Sequence, residues 1–148
     1  LVAYGITRDG RRVLLDYHLA ASESSTEWER FLLRLQERGL RGQHLRLITT
    51  DGGSGLRKAL PLVYGEVPHQ LCWVHKLRNV AKHLKKSQEE LCLAQAQEMY
   101  RAKNRTALRQ AWKEWRDRWQ EEAPAAVACL AADLESLSTF LQCPVEHH

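Results

Sequence analysis

The spacing of apolar residues changes along this chain from every second position to every third or fourth. Val2 to Arg8 alternates loosely and is rich in β-formers, and Arg11 to Ala20 sets Val13, Leu15, Tyr17 and Leu19 on one face of an extended run. The two runs meet at Asp9-Gly10, the kind of dipeptide that closes a β-hairpin. Ser24-Ser25-Thr26-Glu27 then reads as a capping box, Ser24 with Glu27, ahead of Trp28, Phe31, Leu32 and Leu35 at helical spacing. Gly39 is a suitable stop for that helix. A strand is predicted over Leu45–Thr50, a turn at Asp51, a helix to about Tyr64 and a short strand over Val67–Leu71. The order β-hairpin, α, β, α, β predicts a mixed sheet with helices packed on it.

From Cys72 onward the alternation stops. Helices are predicted at about 73–86, at 88–103 behind a Ser87-Gln88-Glu89-Glu90 box, at 105–122, and at 124–141 with Pro124 in the first turn. Leu108, Trp112, Trp115 and Trp119 fall on one stripe of the third helix. Such a stripe is either the core of a helical bundle or a platform for stacking unpaired bases. No internal repeat or low-complexity segment is present.

Charge sharpens this picture. Residues 1–75 carry ten Lys/Arg against eight acids, residues 76–118 twelve against five, and residues 119–148 no Lys or Arg and five acids. The central positive block suits a polyanionic partner, phosphate first, although a solvated helical face has the same composition. Arg78, Lys82 and Lys85 are spaced i, i+4 and i+7 on or just past the helix after His75, with Lys86 beside them, and could contact phosphates. No apolar run approaches the ~18 residues of a membrane span, and no signal-peptide pattern opens the chain. Cys72, Cys92, Cys129 and Cys143 lack the spacing of a disulfide framework, which favours reduced thiols. Leu1 is not an initiator Met, which points to a start inside a longer protein.

Two short segments carry candidate chemistry. Asp51 ends an apolar, β-branched run and precedes Gly52-Gly53-Ser54-Gly55, the pattern of a strand end, a tight turn and a helix start. At such strand ends α/β sheets gather ligands and catalytic groups. Asp there could equally cap the next helix or form the turn. Cys72-Trp73-Val74-His75 is a C-x-x-H step. It could be half of a zinc site with Cys143 and His147, or a packing and positioning element near an active site.

Gly5 with Asp9-Gly10-Arg11, the Ser24–Trp28 helix start, Asp51-Gly52 with Gly55-Leu56, and Gln70-Leu71-Cys72-Trp73-Val74-His75-Lys76-Leu77-Arg78-Asn79-Val80 together resemble the Mutator-type transposases of bacterial insertion sequences. The likeness runs through residues 2–84 and returns at Phe140, Pro144 and Glu146-His147-His148. The resemblance implies an α/β, RNase H-like DDE core in residues 1–72, lacking its first strand and last catalytic helix. It implies an all-α insertion over 73–141 and a return to the core over 142–148. Three acids would hold two Mg²⁺ or Mn²⁺ ions in the parent enzyme. Only the second maps here, as Asp51, with Gly52, Gly55, Cys72 and His75 as motif residues. The first acid would precede Leu1 and the third, a glutamate, would follow His148; Asp16 and Glu135 do not sit at the family positions. One carboxylate cannot hold two metals, so the chain alone is expected to be inactive. Implied partners are the transposon's inverted repeats, target DNA and further copies of the parent, in a bacterial cytoplasm at the nucleoid. The competing classes are a non-catalytic nucleic-acid-binding or assembly module and a small zinc-dependent DNA-binding protein.

Overall fold

The computed structural model describes residues 1–143, and its first element is the hairpin that the alternation predicts. Strands β1 (Val2–Ile6) and β2 (Arg12–Tyr17) pair antiparallel around a turn in which Gly10 takes φ +80°. Both strands are shorter than predicted, and the face expected from Val13, Leu15, Tyr17 and Leu19 does not form. Ala3 pairs with Asp16 and Tyr4 with Leu14, so a bulge skips Leu15. A bulge bends its strand and re-aims the side chain that it leaves unpaired. Leu15 thus packs on the core, while Val13, Tyr17 and Leu19 stand exposed. Val2, Tyr4 and Ile6 on β1 are exposed as well.

The chain divides into two compact units, Leu1–Pro68 and a second beginning at His69. In the first, helix α1 (Ser25–Glu37) starts where Ser24 Oγ accepts the Glu27 N–H at 3.3 Å. Only this half of the capping box forms, because the Glu27 carboxylate turns to Arg30 at 3.2 Å and His18 at 3.6 Å. Gly39, at φ +101°, ends the helix: its N–H bonds Gln36 O and that of Leu40 bonds Leu35 O. That pair of bonds satisfies carbonyls the last turn would otherwise orphan, and it needs a left-handed residue at Gly39. A short 3₁₀ turn (Gly42–His44) follows, so strand β3 is only Ile48–Thr50 rather than Leu45–Thr50. Helix α2 (Ser54–Tyr64) then lays Leu56, Ala59, Leu60 and Tyr64 against Phe31, Leu32 and Leu35 of α1. The hairpin is tied to α1 by Asp16, whose Oδ2 meets Arg34 Nε at 2.8 Å and an Arg38 guanidinium nitrogen at 3.0 Å. Burial would raise the Asp16 pKa, but the Tyr17 N–H and the Arg34 guanidinium outweigh it and hold the carboxyl below its usual range.

The second unit opens with β4 (His69–Leu71) and continues as helices α3 (Trp73–Ala81), α4 (Lys86–Tyr100), α5 (Arg105–Trp119), α6 (Pro124–Ala131) and α7 (Leu134–Leu137). The predicted helix 73–86 stops early: the His83 N–H turns to Val80 O and the Leu84 N–H to Ala81 O, tightening the last turn. The Ser87 box is not used either. Lys85 is the N-cap of α4, and Gln88 Oε1 reaches back to accept its N–H at 3.3 Å. Residues 124–141 are not one helix, because α6 ends at Ala131 and a 3₁₀ turn (Thr139–Gln142) follows α7. Ser138 Oγ donates to Glu135 O and Thr139 Oγ1 to Ser136 O, side-chain bonds that compete with the helical ladder.

Trp115 and Trp119 are buried with Leu77, Val80, Cys92, Ala96, Met99, Val127 and Leu130, so the tryptophan stripe is bundle core. Trp115 Nε1 donates to Cys92 O and Trp119 Nε1 to Gln95 Oε1, both at 2.9 Å, which satisfies the indoles inside it. Trp112 is half-buried and stacks on Trp115 at 5.7 Å. Burial pushes the Cys92 thiol up to about 11, and no disulfide forms among the described residues. No helix of the described residues is long and apolar enough to cross a membrane.

One position fixes the α1–α2 packing. A Cβ on Gly55 would sit 2.0 Å from the Glu23 carbonyl oxygen and 2.9 Å from the Ser24 carbonyl carbon, both backbone atoms. Gly55→Ala should therefore force the two helix starts apart and destabilise the chain by about 2 kcal/mol or more, despite alanine's better helix propensity. Chemical denaturation of the variant against the parent chain checks this; equal midpoints would show that the contact can relax.

Candidate functional site

β3 delivers Asp51 to the surface as the strand ends. Thr50 is buried and its Oγ1 accepts the Gly52 N–H at 3.2 Å, while Asp51 is exposed and its Oδ1 accepts the Gly53 N–H at 2.9 Å. Gly52 takes φ +84°, a conformation that strains other residues. Asp51 is not the cap of α2: Gly53 holds that position, with no side-chain cap. The acid makes a turn, and the turn orients its carboxylate. Gly55, one turn of contact further, lets α1 begin directly against α2 and so fixes the turn from below.

Glu23, passed over in reading the sequence, lies beside this turn. Its Oε2 is 4.0 Å and Asp51 Oδ1 3.4 Å from the point where a Gly53 Cβ would be. Its place just before the Ser24 cap is the signal that could have found it, since the residue preceding a helix is held by the cap.

The C-x-x-H step sits at the start of α3. Cys72 is the N-cap residue, extended and without a side-chain cap bond, and His75 is exposed in the first turn. Among the described residues no group of three or more His, Cys, Asp or Glu gathers in a way that could hold a metal. His147, the partner considered for a zinc site, lies outside the described residues, as do Pro144, Glu146 and His148. Arg78 on α3 and Lys82 at its C-cap are exposed, one turn apart, with Lys82 Nζ donating to Asn79 at 2.9 Å. Lys85 and Lys86 do not continue that face, because they open α4; Lys86 makes an exposed ion pair with Glu89 at 3.5 Å.

The residues between the motif positions are the structural ones. Gln70, Trp73 and Lys76, three apart, all point inward. Gln70 Nε2 donates to Leu137 O at 2.9 Å and its Oε1 accepts the Phe140 N–H at 2.7 Å. Trp73 Nε1 donates to the same Leu137 carbonyl at 2.9 Å, and Lys76 Nζ meets Asp133 at 2.6 Å with both side chains largely buried. Together they clamp the segment from Asp133 to Phe140 onto β4 and α3. A polar Gln beside Leu71 in the middle of a short strand was the available sign.

The whole of this chain, residues 1–148, matches the family model described as "Transposase, Mutator family". The chain belongs to the Mutator family of transposases. It is 33% identical, over all of its length, to the transposase for insertion sequence element ISRM5 of Rhizobium meliloti, covering 37% of that protein. It is 37% identical over 99% of its length to the transposase for element IST2 of Acidithiobacillus ferrooxidans, covering 49%. For the transposase of element IS905 of Lactococcus lactis the identity is 30% and the coverage 36%. The chain thus spans between about a third and a half of these relatives. In this Mutator-family chain the motif stretch from Gln70 to Val80 is exposed at His75 and Arg78 and locked at Gln70, Trp73 and Lys76.

The clamp has a pH-dependent test. In Gln70→Glu the acid, when protonated, still offers one donor and one acceptor; when ionised it faces the Leu137 carbonyl with no donor. Burial favours its neutral form, so the folded-state pKa lies above the unfolded value. The variant should be nearest the parent near pH 4, short of the bond that Gln70 Nε2 also makes to Leu71 O at 2.6 Å, and lose further stability as the pH rises past the acid's unfolded pKa, by about 1–3 kcal/mol near neutrality. Melts across this range check it; a pH-independent deficit would dismiss the clamp.

Proposed function

We propose that this chain is the central part of a DNA transposase that cleaves and transfers DNA strands by metal-dependent phosphoryl transfer, on an RNase H-like core. The observation supporting it is an exposed strand-end Asp51, held by its own turn, in a Mutator-family chain. In the reaction an oxygen of water or of a DNA 3′-hydroxyl attacks the backbone phosphorus in line, and the opposite P–O bond breaks. Two divalent cations, Mg²⁺ or Mn²⁺, would supply, when bound, the charge that favours the attacking oxygen and offsets that of the leaving one. Asp51 fits such a cation, because its carboxylate offers hard oxygen ligands at the surface. Gly52 and Gly55 keep that carboxylate's turn tight, and Cys72 and His75 begin the helix that presents Arg78 and Lys82. These cations, with Lys85 and Lys86, contact the phosphates of transposon ends or target DNA, and further copies of the parent complete the assembly.

Asp51→Asn keeps the oxygen that accepts the Gly53 N–H but removes the charge. In the full-length transposase it should lower strand cleavage at least about a thousandfold, the scale of several kcal/mol of lost charge stabilisation, with an unchanged melt. Retained cleavage would remove Asp51 from the site.

Replacing Arg78, Lys82 and Lys85 together by Ala should flatten the plot of log DNA affinity against log salt by about 0.9 for each lost phosphate contact. An unchanged slope would return these residues to the solvent.

A further inference from the structure

Helix α5 presents a second cationic surface that the DNA-contacting residues above do not include. Arg105, Arg109, Lys113 and Arg116 are spaced i, i+4, i+8 and i+11, which at ~100° per residue places them within an arc of roughly 80°. The neighbouring side of the helix, roughly 100° around from the arc's centre, is core, with Leu108, Trp115 and Trp119 buried. No acid falls within the arc; Asp117 and Glu114 lie beyond its edge. Arg109 and Lys113 are exposed and make no ion pair among the described residues. Arg105 meets Glu135 at 3.2 Å and Arg116 meets Asp117 at 2.7 Å, but these side chains are between 43% and 86% exposed. Exposed pairs of this kind contribute little and exchange readily for another anion. Trp112, half-buried against Trp115, gives the arc a rigid edge.

We propose that this stripe is a second contact surface for the backbone of duplex DNA, resting on the reading of the chain as part of a DNA transposase. Four cations over 11 residues extend ~16 Å at ~1.5 Å per residue, beside a polymer with a phosphate every ~3.4 Å of each strand. Three of them are arginines, whose planar fork donates two hydrogen bonds to one phosphate. The regular spacing along one side of the helix suits a repeating anion, and contacts to phosphate position a duplex without carrying sequence information. The stripe therefore adds affinity and orientation without sequence preference.

The test uses the whole 148-residue chain and a generic duplex of about 20 base pairs, with affinity measured from low to moderate salt. Arg109→Gln, Lys113→Gln and Arg116→Gln together should flatten the log–log salt slope by up to about 2.7, at ~0.9 per phosphate contact, with an unchanged melt. The double variant of Arg109 and Lys113 alone, which breaks no ion pair, should give up to about two-thirds of that change. Arg118→Gln, on another side of α5 and paired with Glu122, should leave the slope as it is. A flattened slope in the Arg78, Lys82 and Lys85 variant with none in the α5 variants would overturn the stripe alone. Absence of duplex binding by the unaltered chain would overturn both. Competition by poly-glutamate as effective as by duplex at equal charge would show an acidic protein to be the better partner, and would likewise overturn the assignment to DNA.

Discussion

The first unit depends on two helix starts meeting backbone to backbone. Because Gly55 has no Cβ, the Glu23 carbonyl and the Ser24 peptide can lie directly on the first turn of α2. That approach seats Phe31, Leu32 and Leu35 against Leu56, Ala59 and Leu60, and it leaves the short link from Thr50 to Ser54 almost no freedom. Thr50 Oγ1 and Asp51 Oδ1 take up the N–H groups of Gly52 and Gly53, so the link is a hydrogen-bonded turn. The turn thus holds the Asp51 carboxylate in one orientation at the surface.

The second unit solves a different problem, how a run of helices is closed. Its core is built around Trp115 and Trp119, whose indole N–H groups are bonded inside it. The end of the run is held by side chains from its beginning, with Gln70 and Trp73 sharing the Leu137 carbonyl and Lys76 pairing with Asp133. A buried pair such as Lys76–Asp133 adds little net stability, but losing either partner alone is costly, which favours one arrangement of the segment. The motif around Cys72 and His75 is therefore half scaffold and half surface. The residues facing inward determine where the chain leaves the helices, and those facing outward are available to a partner.

Charge is distributed to match. Arg78 of α3 and Arg105, Arg109 and Lys113 of α5 are exposed beside a core that is nearly all apolar, whereas Lys76 turns inward to Asp133. Asp16, an acid that the sequence offers at a strand, is fully engaged by Arg34 and Arg38 in tying the hairpin to α1, which makes it structural.

Much of this was legible in the chain itself. The hairpin at Asp9-Gly10, the helix opening at Ser24 and closing at Gly39, the Asp51 turn and the bundle role of the tryptophans all follow from local rules: positive φ at glycine, side-chain caps, and the period of apolar positions. Tertiary structure decided what depends on distant partners. The bulge that turns Leu15 inward is set by pairing with β1. The break of the predicted 124–141 helix lies beside the clamp, where Gln70 takes Leu137 O and the Phe140 N–H, bonds made across nearly seventy residues. The end of α3 at Ala81 hands Lys85 and Lys86 to the next helix, so a face that was continuous in sequence is divided in space. Local chemistry fixes where a residue's backbone turns, whereas the face its side chain shares is settled only when the elements pack.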